Sequence, residues 1–169
     1  MPKDILIGDL KVSEKSRPLI IAEGCDNHFG ELKKAFEMVD LAKEAGADII
    51  KFQHHLPDEE MLPNVPMSDN FNEPLYEFLK KYSLRISDHQ KIMERCKKKG
   101  IQYLCTPFSY KAAVELKKIK VDGYKIGSGE MTDIPTLEKI AKFNKPILIS
   151  TGMSNIKEIY ETYKAVTKI

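Results

Sequence analysis

Polar side chains stand at the ends of five apolar segments of the sequence. These are Glu23, Lys51 with Gln53, Thr106, Lys125 with Ser128 and Glu130, and Ser150 with Thr151. In parallel α/β folds the carboxyl ends of the strands form the rim of the active site, so these side chains are expected to converge there. Two lysines among serine and threonine hydroxyls and glycine-opened backbone amides suit a phosphorylated carboxylic acid.

Lys51 and Lys125 are the strongest candidates in this set because their neighbours in the chain are apolar. Burying an ammonium group costs several kcal/mol unless an anion compensates it. Glu23 and Glu130 are the obvious internal partners, so a structural lysine–glutamate pairing is the alternative to binding a substrate anion. Gly127 likewise either opens the backbone for a ligand or forms a bulge.

The four histidines do not form a metal-binding pattern. His54 and His55 are adjacent, so on a strand they point to opposite faces and cannot readily share one metal ion. His28 and His89 are isolated, and we expect each to be a structural residue. No H-x-x-x-H motif, G-x-S-x-G elbow or Walker loop occurs either.

The cysteines support neither a disulfide framework nor a zinc knuckle. Cys25, Cys96 and Cys105 are odd in number and lack C-x-x-C spacing, so they are interpreted as buried thiols.

The composition is that of an ordinary folded chain. It has 169 residues, 42% of them hydrophobic, with a net charge of +2, which is enough chain for one packed core. The balanced charge argues against nucleic acid or an anionic membrane as the main partner. The apolar runs are far shorter than the roughly twenty residues that span a bilayer, and the start lacks a signal-peptide pattern, so a cytoplasmic location is expected.

Five β-rich segments are each followed by a stretch with helical periodicity. The segments are residues 19–23, 48–53, 102–106, 123–128 and 146–151. Continuous apolar strands of this kind are typical of a parallel sheet covered by helices on both faces. The sequence therefore predicts an α/β fold of five βα units.

Helix boundaries are predicted from capping residues. Gly46 and Gly100 are natural stops, and Asp133 is a cap before Pro135. A capping box formed by Ser87 and Gln90 predicts the start of a second helix, and Ser154 precedes the last helix.

Two further segments do not fit the repeating βα pattern. Ile5–Ile7 and Leu10–Val12 predict a small hairpin around Gly8 and Asp9, which could close the bottom of a barrel. Residues 53–87 carry several prolines and asparagines and are far longer than the usual βα loop of about two to six residues. Loops of that length tend to be functional.

Five sequence blocks together resemble the sialic acid synthase family. They are I-I-A-E-G-C-D-N-H-F-G at 20–30, A-G-A-D-I-I-K-F-Q at 45–53, T-P-F-S at 106–109, Y-K-I-G-S-G-E at 124–130 and K-P-I-L-I-S-T-G-M at 145–153. The resemblance covers nearly the whole chain. It implies a TIM (β/α)8 barrel that condenses phosphoenolpyruvate with an N-acylated mannosamine-type aldose, forming a nonulosonic acid and phosphate.

The same resemblance implies roles for individual residues. Lys51, Thr106, Lys125, Ser128 and Ser150 would hold phosphoenolpyruvate. Glu23 and Glu130 would line the reacting centre with Lys125, while Gln53 and Asn70 would contact substrate, Asn70 on the sugar. The family uses Mn²⁺ or Mg²⁺ and is expected to be a homodimer when full length. The metal histidines are expected beyond Ile169.

Two departures from the family pattern qualify these expectations. Only about five βα units are present, so residues 1–15 are interpreted as the hairpin segment and 16–169 as part of a TIM-barrel domain. The remaining strands and the carboxy-terminal antifreeze-like domain of the family are missing, so the chain is interpreted as an amino-terminal fragment, and the 169 residues alone are expected to be inactive. Gly24-Cys25-Asp26 replaces an isoleucine-glycine-isoleucine-like run of the family.

Two alternative functions stay open from the sequence. Lys125 at a strand end could be the nucleophile of a Schiff-base aldolase. The chain could instead be a non-catalytic binder of phosphorylated ligands or an assembly partner. The blocks do not distinguish among the sialic, legionaminic and pseudaminic branches.

Overall fold

A computed structural model describes residues 4–64, 66–67 and 72–169. The elements in these ranges are β1 (Ile5–Ile7), β2 (Leu10–Val12), β3 (Ile21–Cys25), α1 (Leu32–Glu44), β4 (Ile49–His54), α2 (Pro57–Glu60), α3 (Leu75–Tyr82), α4 (Ile86–Lys99), β5 (Gln102–Pro107), α5 (Tyr110–Lys118), β6 (Tyr124–Ile126), α6 (Ile134–Ala141), β7 (Ile147–Ile149) and α7 (Ile156–Thr167). Among these described residues, no helix combines the length and the apolar character that a membrane crossing requires.

Five of the strands form one parallel sheet in sequence order, β3-β4-β5-β6-β7. Helices α1, α4, α5, α6 and α7 follow successive strands, which confirms the five predicted βα units. The predicted strand positions are confirmed, with boundaries that differ by at most two residues. Sequential parallel pairing follows from short connections that return each helix to the neighbouring edge of the sheet.

The predicted hairpin is also confirmed. β1 and β2 pair antiparallel, with Ile5 opposite Val12, around a turn in which Gly8 has a positive φ of 58°. A side chain at Gly8 would also collide with Gln102, since a Cβ there would lie 2.2 Å from the Gln102 Oε1 atom. Glycine therefore satisfies both the backbone conformation and the close approach to β5.

Alternation along the strands divides the sheet into two faces. One face is covered by the helices and buries the larger apolar cluster, to which the strands contribute Ile50, Phe52, Tyr103, Cys105, Tyr124 and Ile126. On the other face, Ile7 of the hairpin packs with Ile49 and Leu104. The hairpin thus closes the amino-terminal end of this inner face, as the sequence predicts.

The interpretation of residues 53–87 as one long loop is wrong for its described residues, because the segment contains the helices α2 and α3. Pro57 lies at the start of α2 and Pro74 is the residue before α3, positions at which a missing backbone N–H costs nothing. Tyr76 and Leu79 bury one face of α3.

Two predicted helix starts are corrected. α4 begins at Ile86 after Arg85, and no side chain caps it, so the Ser87–Gln90 capping box is wrong. α7 is capped by Asn155 rather than Ser154, in a capping box with Glu158.

The other capping predictions hold. The Asp133 carboxylate accepts a hydrogen bond from the Thr136 N–H at 3.2 Å. Gly100 ends α4 in the left-handed conformation, and Gly46 follows α1 with φ of 83°.

Candidate active site

The inner face of the sheet changes from apolar to polar along the strands. In β4, Ile49 faces the hairpin, and two and four residues later Lys51 and Gln53 continue the same face. β5 repeats this order with Leu104 and Thr106. The two-residue period of a strand therefore places the predicted site residues above the hairpin-covered layer, at the carboxyl ends of the strands.

Lys51 is paired inside the protein. Its Nζ atom lies 2.5 Å from the Glu23 Oε2 atom and 3.4 Å from the Thr106 hydroxyl, and the side chain is buried. Glu23 and Lys51 are partners across β3 and β4, so strand register brings the two charges together. The structural pairing that the sequence left open is present at this lysine.

Lys125 has a different environment. Its Nζ atom donates to the Ser150 hydroxyl and to the Ile126 carbonyl, each at 2.6 Å. Among the described residues no carboxylate lies within ion-pair distance of it. Burial and, secondarily, repulsion by Lys51 lower the pKa of Lys125. A substrate anion would supply the charge that this ammonium group lacks.

Glu130 folds back over the turn that follows β6. A Cβ on Gly127 would lie 2.2 Å from the Glu130 Oε2 atom, so a side chain there would displace the carboxylate from its present position. Burial raises the pKa of Glu130. Ser128 begins the same turn and is partly buried.

The end of β3 is irregular. The pairing with β4 shifts register between Glu23 and Cys25, and Cys25 has a positive φ of 45°. The Cys25 N–H donates to the Glu23 carboxylate at 3.2 Å and helps to orient it. The prediction that all three thiols are buried is wrong for Cys25, which the register shift leaves partly exposed, and confirmed for Cys96 and Cys105. Burial, with the neighbouring Glu23, raises the pKa of Cys25 to about 11, so this thiol is protonated at neutral pH.

A cleft of about 350 Å³ adjoins these residues. Its polar side is formed by Asp26, Gln53, His55, Glu60 and Glu130, and its apolar side by Met61, Leu75, Phe78, Leu79 and Phe108. The sequence analysis selected Gln53 and Glu130 but not Asp26, His55 or Glu60. Strand parity was the available signal for His55, because Lys51, Gln53 and His55 alternate on one face.

His55 is held by hydrogen bonds at both ring nitrogens. Its Nδ1 atom lies 2.7 Å from the Glu60 Oε1 atom, and its Nε2 atom lies 3.1 Å from the Gln53 Oε1 atom and 3.2 Å from the Asp26 Oδ2 atom. The ring stacks on Phe108, with 4.2 Å between the ring centroids. Burial alone would lower the pKa of His55, but the hydrogen bonds with Asp26 and Glu60 outweigh it and raise the pKa to about 9.

His54 points to the opposite face of β4, as predicted. Its Nε2 atom lies 2.8 Å from the Glu115 carboxylate, and its ring contacts His89. The Nδ1 atom of His89 pairs with the Tyr103 hydroxyl at 2.8 Å. His54 and His89 therefore belong to the packing beneath the helices.

The described residues do not fit a bound divalent metal. Among them no group of three or more histidine, cysteine, aspartate or glutamate side chains has an arrangement that could hold one. The predicted sugar contact Asn70 lies outside the described residues.

Comparison with known proteins gives a family model and relatives that agree with one another. A family model described as the NeuB family matches residues 38–169. The N,N'-diacetyllegionaminic acid synthase of Campylobacter jejuni is 34% identical over 158 residues, covering 90% of this chain and 47% of that protein. The pseudaminic acid synthase of Helicobacter pylori is 31% identical over 160 residues, covering 90% of this chain and 46% of that protein.

A solved structure matches the fold closely. The N-acetylneuraminic acid synthetase of Leptospira borgpetersenii superposes with a TM-score of 0.84 at 29% identity, covering 98% of this chain and 55% of that chain. The predicted α/β fold of TIM-barrel synthases is confirmed. The chain spans about half the length of the curated relatives it matches.

Proposed function

Because this chain belongs to the NeuB family, we propose that it takes part in condensing phosphoenolpyruvate with an N-acylated mannosamine-type aldose to give a nonulosonic acid and phosphate. The observation that carries the proposal is the pair of lysines on the inner face. Lys51 has a carboxylate partner, whereas Lys125 has only neutral partners among the described residues. The proposed anion that completes the site is phosphoenolpyruvate.

The proposed contacts follow from the positions of the donors. Lys125 and Ser150 already share a hydrogen bond, and Lys51 lies beside Thr106, so an anion between the lysines would find two cations and two hydroxyl donors. Ser128 begins the turn after β6 and is proposed as a further donor. Charge-assisted hydrogen bonds of this kind are the strong ones in carboxylate and phosphate recognition.

The proposed reaction forms a carbon–carbon bond between the substrates and a carbon–oxygen bond to water, and it breaks the carbon–oxygen bond to phosphate. The enol carbon of phosphoenolpyruvate attacks the aldehyde carbon of the sugar, and the aldehyde oxygen takes up a proton to become a hydroxyl group. The cation left at the neighbouring carbon is captured by water, and departure of phosphate then leaves the 2-keto acid.

Two carboxylates are proposed to act on that cation and that water. Glu23 is oriented by Lys51 and by the Cys25 N–H. Burial raises the pKa of Glu130, which makes its carboxylate a better base than an ordinary glutamate, and Glu130 is proposed to accept the proton from the attacking water. Mn²⁺ or Mg²⁺ remains the proposed cofactor from the family resemblance, with its ligands proposed to lie outside the described residues.

A test of the function is phosphate release by the complete gene product. Release that requires both phosphoenolpyruvate and an N-acylated aldose is expected, and N-acetylmannosamine and the precursors of legionaminic and pseudaminic acids would identify the branch. Phosphoenolpyruvate hydrolysis that is indifferent to every aldose would contradict the proposal.

A Schiff-base aldolase is the second candidate because burial lowers the pKa of Lys125, which favours the nucleophilic amine. Borohydride treatment in the presence of pyruvate separates the two. A covalent adduct on Lys125 would support the aldolase, and its absence together with phosphate release would support the synthase.

A further inference from the structure

Asp26, His55 and Glu60 form a hydrogen-bonded group beside the cleft, and the proposed chemistry does not use them. They come from different parts of the chain, since Asp26 follows β3, His55 follows β4 and Glu60 lies in α2. Both ring nitrogens of His55 face oxygen atoms, at 2.7 to 3.2 Å.

The partners of His55 define its charge state. Carboxylates and the amide oxygen of Gln53 only accept hydrogen bonds, whereas the imidazolium ring only donates them. The charged ring therefore satisfies Glu60 at Nδ1 and both Asp26 and Gln53 at Nε2. The second oxygen of Glu60 accepts the Leu56 N–H at 3.2 Å, which fixes this carboxylate to the backbone.

The orientation of Gln53 follows from this arrangement. Its Oε1 atom is directed to His55 at 3.1 Å, so its Nε2 group points the other way, 3.5 Å from the Cys25 sulfur. Sulfur is a weak acceptor, so the amide hydrogens are available to an oxygen atom of a ligand.

Asp26 also lies next to a second histidine ring. The His28 Nδ1 atom accepts the Gly30 N–H at 3.0 Å, so a neutral His28 carries its proton on Nε2. That Nε2 atom lies 3.7 Å from the Asp26 Oδ1 atom, and both atoms are buried without a hydrogen-bond partner among the described residues. Asp26 is thus placed between His28 and His55.

The charges around the cleft indicate which substrate meets Gln53. Asp26, Glu60 and Glu130 line the cleft with the single cation His55, whereas neither Lys51 nor Lys125 lines it. Three carboxylates disfavour an anion such as phosphoenolpyruvate, and the apolar opposite wall suits acyl groups. A neutral acylated sugar fits both walls.

We propose that Asp26 and His55 are positioning residues that hold the Gln53 amide toward an oxygen of the acceptor sugar and so control recognition of the sugar. This inference rests on the proposed function. It assigns the acceptor, rather than phosphoenolpyruvate, to the side of the site formed by Gln53.

The first test is an NMR titration of the His55 ring in the complete gene product. Asp26 and Glu60 contact His55, and Glu130 and the rings of His28, His54 and His89 interact with it electrostatically without a direct contact. We expect His55 to stay protonated up to about pH 9, and Asp26→Asn to lower its pKa. An unchanged titration in Asp26→Asn would overturn the inference.

The second test separates the two Michaelis constants. In Asp26→Asn we expect the KM for the sugar to rise about tenfold at about pH 8, the order of one hydrogen bond, with the KM for phosphoenolpyruvate unchanged. Lowering the pH to about 6 should restore the sugar KM, because His55 is then protonated without Asp26. A general structural defect would not be rescued in this way.

A matched pair of carboxylates supplies the control. Glu60→Gln should behave like Asp26→Asn, whereas Glu59→Gln should leave both KM values unchanged, because Glu59 is exposed and pairs with Lys111. Equal rises of both KM values at every pH would overturn the inference. If the wild-type protein consumes no pair of substrates, the proposed function fails, while the titration still decides the role of Asp26.

Discussion

Lys51 on β4 and Lys125 on β6 both lie on the inner face of the sheet, but they differ in the groups that neutralise their charges. Glu23 lies against Lys51, so removal of Glu23 would leave the buried Lys51 ammonium group without its carboxylate. Lys125 is held by a hydroxyl and a carbonyl, which orient its ammonium group without cancelling the charge. We therefore propose that Lys125 contributes the greater share of the proposed anion recognition.

Replacing Lys125 by methionine tests that assignment. Lys125→Met in the complete gene product should lower turnover about a hundredfold or more, because a cation facing developing phosphate charge is lost. The fold should persist, since methionine fills the same space without a charge to bury. Lys118→Met is the control, because Lys118 is exposed at the end of α5. Near-normal turnover with an intact circular dichroism spectrum would contradict the role.

Gly127 and Gly129 offer a sharper comparison within one turn. Gly127→Ala places a methyl group where the Glu130 carboxylate now lies, 2.2 Å from its Oε2 atom, whereas a Cβ on Gly129 meets no atom within 4 Å. Gly127→Ala should therefore lower kcat about as much as Glu130→Ala does, and Gly129→Ala should have little effect. Equal kinetics for the two glycine variants would show that the position of Glu130 does not matter.

Among individual residues, the sequence predicted those on the inner face of the sheet. It missed the side chains that make contacts between different elements. Lys51, Gln53, Thr106 and Lys125 could be found because strand ends share a rim in any parallel α/β fold. Asp26 and Glu60 could not, because only the tertiary fold brings them to His55. The role of Asn70 stays a prediction.

The hairpin formed by β1 and β2 is the element that closes the inner face. Ile7 is 1% exposed and packs with Ile49 and Leu104, while its neighbour Leu6 is 58% exposed. Ile7→Ala should reduce the free energy of unfolding by about 2–5 kcal/mol, through lost burial and the cavity left behind. Leu6→Ala should change it by less than about 1 kcal/mol.

Urea denaturation of both variants, with the substrate KM values measured alongside, checks this prediction. Unchanged KM values in Ile7→Ala would support a role for Ile7 in folding but not in substrate binding. Equal destabilisation by the two substitutions would show that the hairpin does not cover the sheet as described.

Elements were predictable where local chemistry and tertiary packing agree. The hairpin, the five strands and the Asp133 cap follow from turn and capping residues that tertiary structure leaves in place. The prolines in residues 53–87 are interpreted from the sequence alone as signs of a loop. Proline breaks a helix in its interior, but at the start of a helix it is favourable. Asn155 and Ser154 are both good caps, and only the Glu158 spacing distinguishes them.

For the whole molecule, the four histidines give stability a two-sided dependence on pH. Burial lowers the pKa of His28, His54 and His89 in the folded state. The unfolded chain therefore binds protons first as the pH falls below about 6.5, and stability decreases. His55 acts with the opposite sign. Its pKa of about 9 gives stability that is complete below about pH 6.5 and is lost as the pH rises through 9.

Together these contributions place the histidine-dependent maximum of stability near pH 6.5, the ordinary histidine pKa. Urea midpoints measured across the range should fall on both sides of it. His55→Gln should flatten the alkaline side and leave the acid side in place. An alkaline side that persists in His55→Gln would contradict the assignment.

The surface carboxylates act in a separate range of pH. Hydrogen bonds from Arg95 and Lys99 to Asp40, and from Arg17 to Asp48, lower the pKa of both carboxylates to about 2. Their contribution is complete above the usual aspartate pKa of about 4 and is lost only as the pH falls toward 2. The histidine effect can therefore be measured without interference from them.

The two layers of the inner face also bear on how this protein can change under selection. Substitutions in the layer formed by Ile7, Ile49 and Leu104 are expected to act on folding, whereas those at Lys51 and Lys125 are expected to act on the proposed ligand recognition. Ile49 and Lys51 lie two residues apart on β4, yet Ile49 packs with the hairpin whereas Lys51 contacts Glu23 and Thr106. Laboratory evolution could therefore raise thermal stability by substitutions in the layer packed against the hairpin. A separate round could change the specificity of the cleft to another sugar.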